Sequence, residues 1–338
     1  MNINLINRKQ YTGVIFLFFL FFLITISITP LIGSVQINVE NAFSRNLEFN
    51  NNVDANILFL ARIPRIILAA LTGAALAVAG AVFQSLLRND LAAPFTLGVS
   101  SGAALGAVTA MSIGLPHAIA GIPTVPIAAF LGALGAITLV FSLARTRSGE
   151  FPTPVLLLAG VTANFFFAAL VMLIHYLSDF TQSFRIVRWL MGGLDITSYK
   201  TLMSISPMIF IGFAVLMLYS RDLNVISTGI QSAMSRGVEV IKVQKIGFIM
   251  ASLLTGAVVA LSGPIGFVGL IVPHIVRLIV GPDLRILLPA SIFFGASFLV
   301  ICDTLARTII APTEIPVGII TAMLGGPFFV WLLKRSKN

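Results

Sequence analysis

Ten apolar runs separated by short polar stretches set the pattern of this chain. They lie at roughly residues 12–33, 65–84, 95–112, 121–144, 155–177, 201–219, 246–262, 267–281, 287–306 and 316–333. Most approach the ~20 apolar residues that a helix needs to cross the hydrocarbon core of a bilayer. The pattern predicts an all-α polytopic membrane protein of about ten transmembrane helices, forming one domain over residues 1–338. Apolar residues are 58% and charged residues 10% of the chain, far from a soluble balance. The first run follows Arg8 and Lys9 and extends from about Gly13 to Ile32. It is longer than a signal-peptide core and lacks a small-x-small cleavage site, so an uncleaved first span is expected.

Two phrases divide the chain. LTGAALAVAG (Leu71 to Gly80) opens the second span, and LTGAVVALSG (Leu254 to Gly263) opens the seventh, with six of ten positions identical. Five spans apart, the copies must cross in opposite directions, which predicts inverted repeats over spans 2–5 and 7–10. Between spans two and three lies a polar turn from Gln84 to Pro94. Asn89 and Asp90 can cap the next helix and Pro94 suits its first turn. Thr96, Ser100 and Ser101 read as hydrogen-bonding glue between helices.

Charge sets the orientation. The net charge of +9 comes from basic residues scattered through short loops, not massed on one face, so topology explains it better than nucleic acid does. With both termini inside, the inner segments hold thirteen Lys and Arg, including Arg88, Arg145, Arg147 and the Lys334–Lys337 tail; the outer ones hold seven. That excess obeys the positive-inside rule. Arg62 and Arg65 then flank Pro64 at the outer mouth of the second span, and Arg307 stands at the outer end of the ninth. They read either as snorkelling interfacial cations or as a cationic rim that docks an acidic partner.

The largest inner segment is Asp222 to Lys245. Leu223, Ile226, Ile230, Ala233, Met234 and Val238 fall at helical spacing, and Gly229 and Gly237 divide it into short helices. Such a piece either lies on the membrane or presents its apolar ridge to a partner's groove. In the fifth span, Gly160 and Asn164 follow Pro152-Thr153-Pro154. Asn164 lines a pathway or ties helices together.

A break at Gly263-Pro264-Ile265-Gly266 precedes the short eighth span, with His274 and Arg277 further along it. Irregular backbone at membrane depth is tolerated where it is buried in protein or lines a cavity. His274 reads as a packed histidine in preference to a ligand. Asp303 and Arg307 form an i,i+4 pair of favourable orientation, preferred here over a proton site. The chain has no G-x-x-x-x-G-K-[ST] loop, no H-E-x-x-H, no G-x-S-x-G and a single cysteine, Cys302. No catalytic group or metal site is expected, ATP is not bound here through a phosphate loop, and energy is expected to arrive from another subunit through Asp222 to Lys245.

Several long motifs, in order, resemble a known family: R-I-P-R (Arg62 to Arg65), GAALAVAGAVFQSLLRNDLAAPFTLGVSSGAALG, LLLAG (Leu156 to Gly160), GPIGFVGLIVPHIVR (Gly263 to Arg277) and EIPVGIITAMLGGPFFVWLLK (Glu314 to Lys334). The chain is identified as resembling the permease subunits of binding-protein-dependent ABC importers for iron-siderophores, haem and vitamin B12. The resemblance implies two permease copies in a bacterial inner membrane, bathed by its lipid, and two ATPase subunits that carry ATP and Mg on the cytoplasmic face. An outer binding protein would deliver the cargo, and a ferric siderophore is the cargo expected. It implies docking of that protein by Arg62, Arg65 and Arg307. It implies ATPase coupling through Leu223, Ile226, Gly229, Ile230, Met234, Arg236 and Gly237, and a pathway and gate at Thr153, Pro154, Gly160 and Asn164. Asp90 stands where the family usually has proline after Asn89, and only a local change in the turn is expected. The alternative is an ion-gradient-driven transporter titrating Asp303 or His274.

Overall fold

A computed structural model describes residues 8–44, 52–116, 118–119, 122–145, 151–195 and 198–335. Arg45, Arg147 and Lys337, which the sequence reading counts or names, lie outside them. Among the described residues the chain is almost wholly helical. It runs α1 (Arg8–Ile28), α2 (Val39–Ala42), α3 (Val53–Asn56), α4 (Ile63–Leu87), α5 (Val99–Ser112), α6 (Thr124–Ala144), α7 (Thr153–Leu177) and α8 (Phe180–Leu190). It continues through α9 (Tyr199–Leu218), α10 (Ser220–Thr228), α11 (Ile230–Ser235), α12 (Val240–Ser262), α13 (Val268–Val280), α14 (Leu284–Thr308) and α15 (Val317–Arg335). A two-residue bridge of β1 (Ala118–Ile119) with β2 (Ile122–Pro123) turns the chain into α6. Seven helices are long and apolar enough to cross a membrane, and three shorter apolar ones, in α5, α13 and α15, complete the predicted ten.

Local chemistry explains the boundaries. Asn38, Asn52, Asp179, Ser198 and Asp283 each accept a backbone N–H at a helix start, which satisfies donors that a helix cannot pair internally. Pro64 and Pro154 occupy first-turn positions, where proline's missing N–H costs nothing. The second span departs from the sequence reading. It is continuous with α3 through Ile57–Arg62, wound as wider π turns, so the helix reaches well beyond Arg62. Short amphipathic α8 was not predicted at all. It buries Ile186 and leaves Phe180 and Phe184 exposed.

The halves repeat as the two phrases predict. α4 to α7 correspond to α12 to α15, and their contacts are exchanged: α4 packs on α14 while α12 packs on α6. α4 meets α13 as α12 meets α5, and α5 meets α7 as α13 meets α15. Both short helices, α5 and α13, follow irregular breaks that end in left-handed residues, Gly98 and Phe267. Gly73, third in the first phrase, touches Gly295 on α14; its counterpart Gly256 touches Ala133 on α6. A Cβ at Gly73 would collide with the Gly295 carbonyl, and one at Gly80 with that of Gly269. In lipid, where apolar surface gains little by leaving its solvent, such backbone approach and the dispersion contacts it permits hold helices together. α4 is accordingly the core, buried along nearly its whole length.

Candidate functional site

The sequence-marked residues gather at opposite ends of the α4–α14 pair. At the first end stand the three arginines. Arg65, one turn into α4, donates Nε to both oxygens of Asp303 at 3.1 Å and Nη2 to Oδ1 at 2.9 Å. Its Nη1 reaches Glu314 Oε2 at 2.7 Å. Arg307 donates Nε to Asp303 Oδ2 at 3.1 Å, one turn along α14 as the i,i+4 spacing predicts. Arg62 turns the other way. It donates to the carbonyls of Pro30, at 2.7 Å, and Val35, while Gly33 lies flat against its guanidinium.

The sequence reads these arginines as snorkelling interfacial cations or as a cationic rim that docks an acidic partner. In the structure Arg62, Arg65 and Arg307 are 5%, 9% and 5% exposed, and Asp303 is fully buried. The physical reason is charge balance in a poorly polarisable surrounding. An unpaired guanidinium there costs several kcal/mol, so carboxylates from α14 and from the turn before α15 are drawn in. The guanidinium groups of Arg65 and Arg307 meet two carboxylates, and a cavity of about 130 Å³ beside them is lined by Arg62, Arg65, Arg307 and Glu314. Between two guanidinium groups Asp303 is held as an ion-pair partner, and the gradient-driven alternative gains no support from it. His274 gives none either: its Nε2 is buried with no hydrogen-bond partner among the described residues, and its ring packs edge-on to Phe328 at 5.9 Å.

At the second end lie α10 and α11. Gly229 joins them at φ +139°, a backbone region that side chains other than hydrogen rarely adopt, and the turn after α11 ends at Gly237. The expected apolar ridge is divided. Leu223, Ile226 and Ala233 are fully buried against the chain's own helices, and Ile230 is half-buried. Met234 is 56% exposed, and Arg236 and Gly237 are exposed beside it. α10 is therefore anchored, and α11 carries the accessible groups.

Two anchors were not legible. Ser85 Oγ on α4 donates to the Leu223 carbonyl at 3.3 Å. Asn224 Nδ2 donates to Asp283 Oδ1 at 2.7 Å, and its Oδ1 accepts from Leu284 N at 2.8 Å. Burial alone would raise the Asp283 pKa; hydrogen bonds from Arg285 and Asn224, with the Arg285 charge, outweigh it and hold the carboxyl below its ordinary value.

Asp90 was expected to change only its own turn. Instead it pairs with Arg277 on α13, whose Nη2 also donates to Gln84 Oε1 at 2.9 Å. Nor do Asn89 and Asp90 cap α5: the Asn89 side chain accepts from Leu91 N within the turn. Thr96 and Ser101 bond locally, to Ala93 and Gly98, in place of gluing helices. On α7, Thr153 is half-buried, Pro154 exposed, Gly160 buried against Leu97 and Asn164 half-exposed. Leu158, Phe165 and Met172 form an exposed stripe along the same helix.

Ten spans in two inverted, contact-exchanging halves, with charge clustered at one end and an anchored short-helix segment at the other, define a polytopic membrane transport protein. Residues 18–335 match the FecCD transport family, and the chain belongs to that family. It is 39% identical over 321 residues to the hemin transport system permease protein HmuU of Yersinia pestis, covering 94% of this chain and 95% of that one. It is 43% identical over 301 residues to the cobalamin import system permease protein BtuC of Halobacterium salinarum, covering 88% and 78%. A solved inward-facing conformation of a transporter described as metal-chelate type ABC superposes with a TM-score of 0.82 at 31% identity, covering 96% of this chain and 99% of that chain.

Proposed function

We propose that this chain is the membrane-spanning subunit of an ATP-driven importer that carries a ferric siderophore handed over by a separate binding protein. The family match over residues 18–335 is the observation that carries this reading. In it, the arginine end faces outward and both termini lie in the cytoplasm. Two copies pack side by side in a bacterial inner membrane, and their α7 helices border the passage. ATP and its Mg reside on separate ATPase chains, and this chain holds no cofactor and performs no chemistry of its own.

The mechanism follows from the parts. Closure of the ATPases pushes on α11 through Met234, Arg236 and the Gly229 and Gly237 turns. α7 tilts in response, and Thr153 and Pro154 open or close the inner mouth, with Gly160 and Asn164 further along. The binding protein presents carboxylates to Arg62, Arg65 and Arg307, and the cavity beside these arginines supports that role. A bulky chelate needs no tight ligands in the passage, which fits an α7 face that is apolar apart from Thr162 and Asn164.

The test is reconstitution of the chain in vesicles with a P-loop ATPase subunit and its binding protein. Accumulation of a radiolabelled ferric hydroxamate is expected only with ATP. Uptake driven by a proton or sodium gradient without nucleotide would end the importer reading. ATP-driven uptake of haem or cobalamin in its place would keep the importer and replace the cargo.

A further inference from the structure

We propose that Asn224 is the positioning residue through which movement of the α10–α11 segment enters the α4–α14 pair. The inference rests on the importer reading, in which that segment meets the ATPase.

Consecutive residues of α10 grip two different helices. The Leu223 carbonyl takes the Ser85 hydroxyl of α4, and the Asn224 amide takes the first turn of α14. The amide is used at both ends, as donor to Asp283 and as acceptor from Leu284 N. A carboxamide offers both functions in one plane. Asp283 in turn accepts Arg285 N at 3.0 Å, so one carboxylate caps α14 and receives α10. Further along, α4 and α14 touch backbone to backbone at Gly73 and Gly295, and at the far end Arg65 locks to Asp303. A displacement of α10 is therefore delivered to a pair of helices tied at three levels, the last being the arginine cluster. Asn224 is the joint on the α14 side.

The joint makes a demand that simple packing does not. Asn224→Asp sets a second carboxylate against Asp283 and removes the donor. Exchanging the pair, N224D/D283N, restores one donor and one acceptor across the contact, and asparagine at 283 still caps α14. The full complex of chain, ATPase and binding protein is reconstituted, and cargo accumulated per ATP hydrolysed is measured. The probe is whichever of ferric hydroxamate, haem and cobalamin the wild-type complex takes up.

N224D is expected to lower cargo per ATP about 10-fold, the effect of losing a hydrogen bond to a charged group. The exchanged pair is expected to recover to within about threefold of wild type, the non-additivity that marks direct contact. Wild-type coupling in N224D, or no recovery in the exchanged pair, overturns the proposal. If N224D alone is not obtained folded, recovery of a folded and transporting N224D/D283N supports the joint, and failure of that variant overturns it. Absence of ATP-driven uptake in the wild-type complex would instead refute the importer reading, so the two failures are distinct.

Discussion

The two ends of the α4–α14 pair are held by different chemistry. At the arginine end, Asp303 receives two guanidinium groups, and Arg65 extends the network to Glu314 in the turn before α15. At the α10 end, one amide and one hydroxyl do the tying. Multiple charge-assisted bonds in a water-poor setting resist rearrangement, because breaking any one strands a charge. A lone amide bond to the Asp283 carboxylate and a lone hydroxyl bond to a carbonyl give way at a cost of about 1–3 kcal/mol each. The contrast teaches that one end is built to stay assembled and the other to yield. In the importer reading, these are the end that receives a carrier and the end that receives a motor.

Ways to break that contrast differ in size. Asp303→Asn leaves two guanidinium groups short of a counter-charge and is expected to cost ~3–5 kcal/mol, as for other broken buried pairs. Thermal unfolding in detergent reads it, and an unchanged midpoint would mean that the cluster does not hold α4 to α14. Gly295→Leu attacks the middle of the pair, where a side chain must enter the space of Ala77 and Gly73. A loss of ~1–3 kcal/mol is expected from overpacking, by the same measurement.

Asn224→Ala is expected to cost only about 1.5 kcal/mol of stability, the low end for a hydrogen bond to a charged group. Its cargo transported per ATP should nevertheless fall more steeply than its melting point suggests. Parallel losses in the two measurements would erase the distinction between the ends.

Smallest is the pH effect at Asp283. Its folded pKa is depressed, so its contribution is complete above the unfolded carboxyl value, about 4, and disappears as pH falls through the lower folded value. Unfolding midpoints taken from pH 7 downward should drop more in wild type than in Asp283→Asn. Equal slopes would show that this carboxyl is not held low.

How much of this was legible depended on sequence distance. The spans and the inverted halves could be read because hydropathy is local and LTGAVVALSG repeats LTGAALAVAG. The Asp303–Arg307 pair was visible because both residues lie on one helix face, four apart. The burial of Arg65 was not, since its partners lie 238 and 249 residues away. Asp90 finding Arg277, 187 residues on, escaped for the same reason. Asn224 gave no signal, for an asparagine in a polar segment looks like any solvated residue. α8 could have been found, because Phe180, Phe184 and Val187 recur at helical spacing. Its eleven residues are too short for a span search, however. α12 begins at Val240, inside the stretch assigned to the coupling segment, because its first turns are polar on one side only.

The exchanged contacts between halves carry a consequence for how the protein can be taken apart. Because α4 leans on α14 and α12 on α6, each half supplies the wall that the other lacks. Severed after Gly237, the pieces 1–237 and 238–338 should each be degraded when made alone and rescue one another when made together.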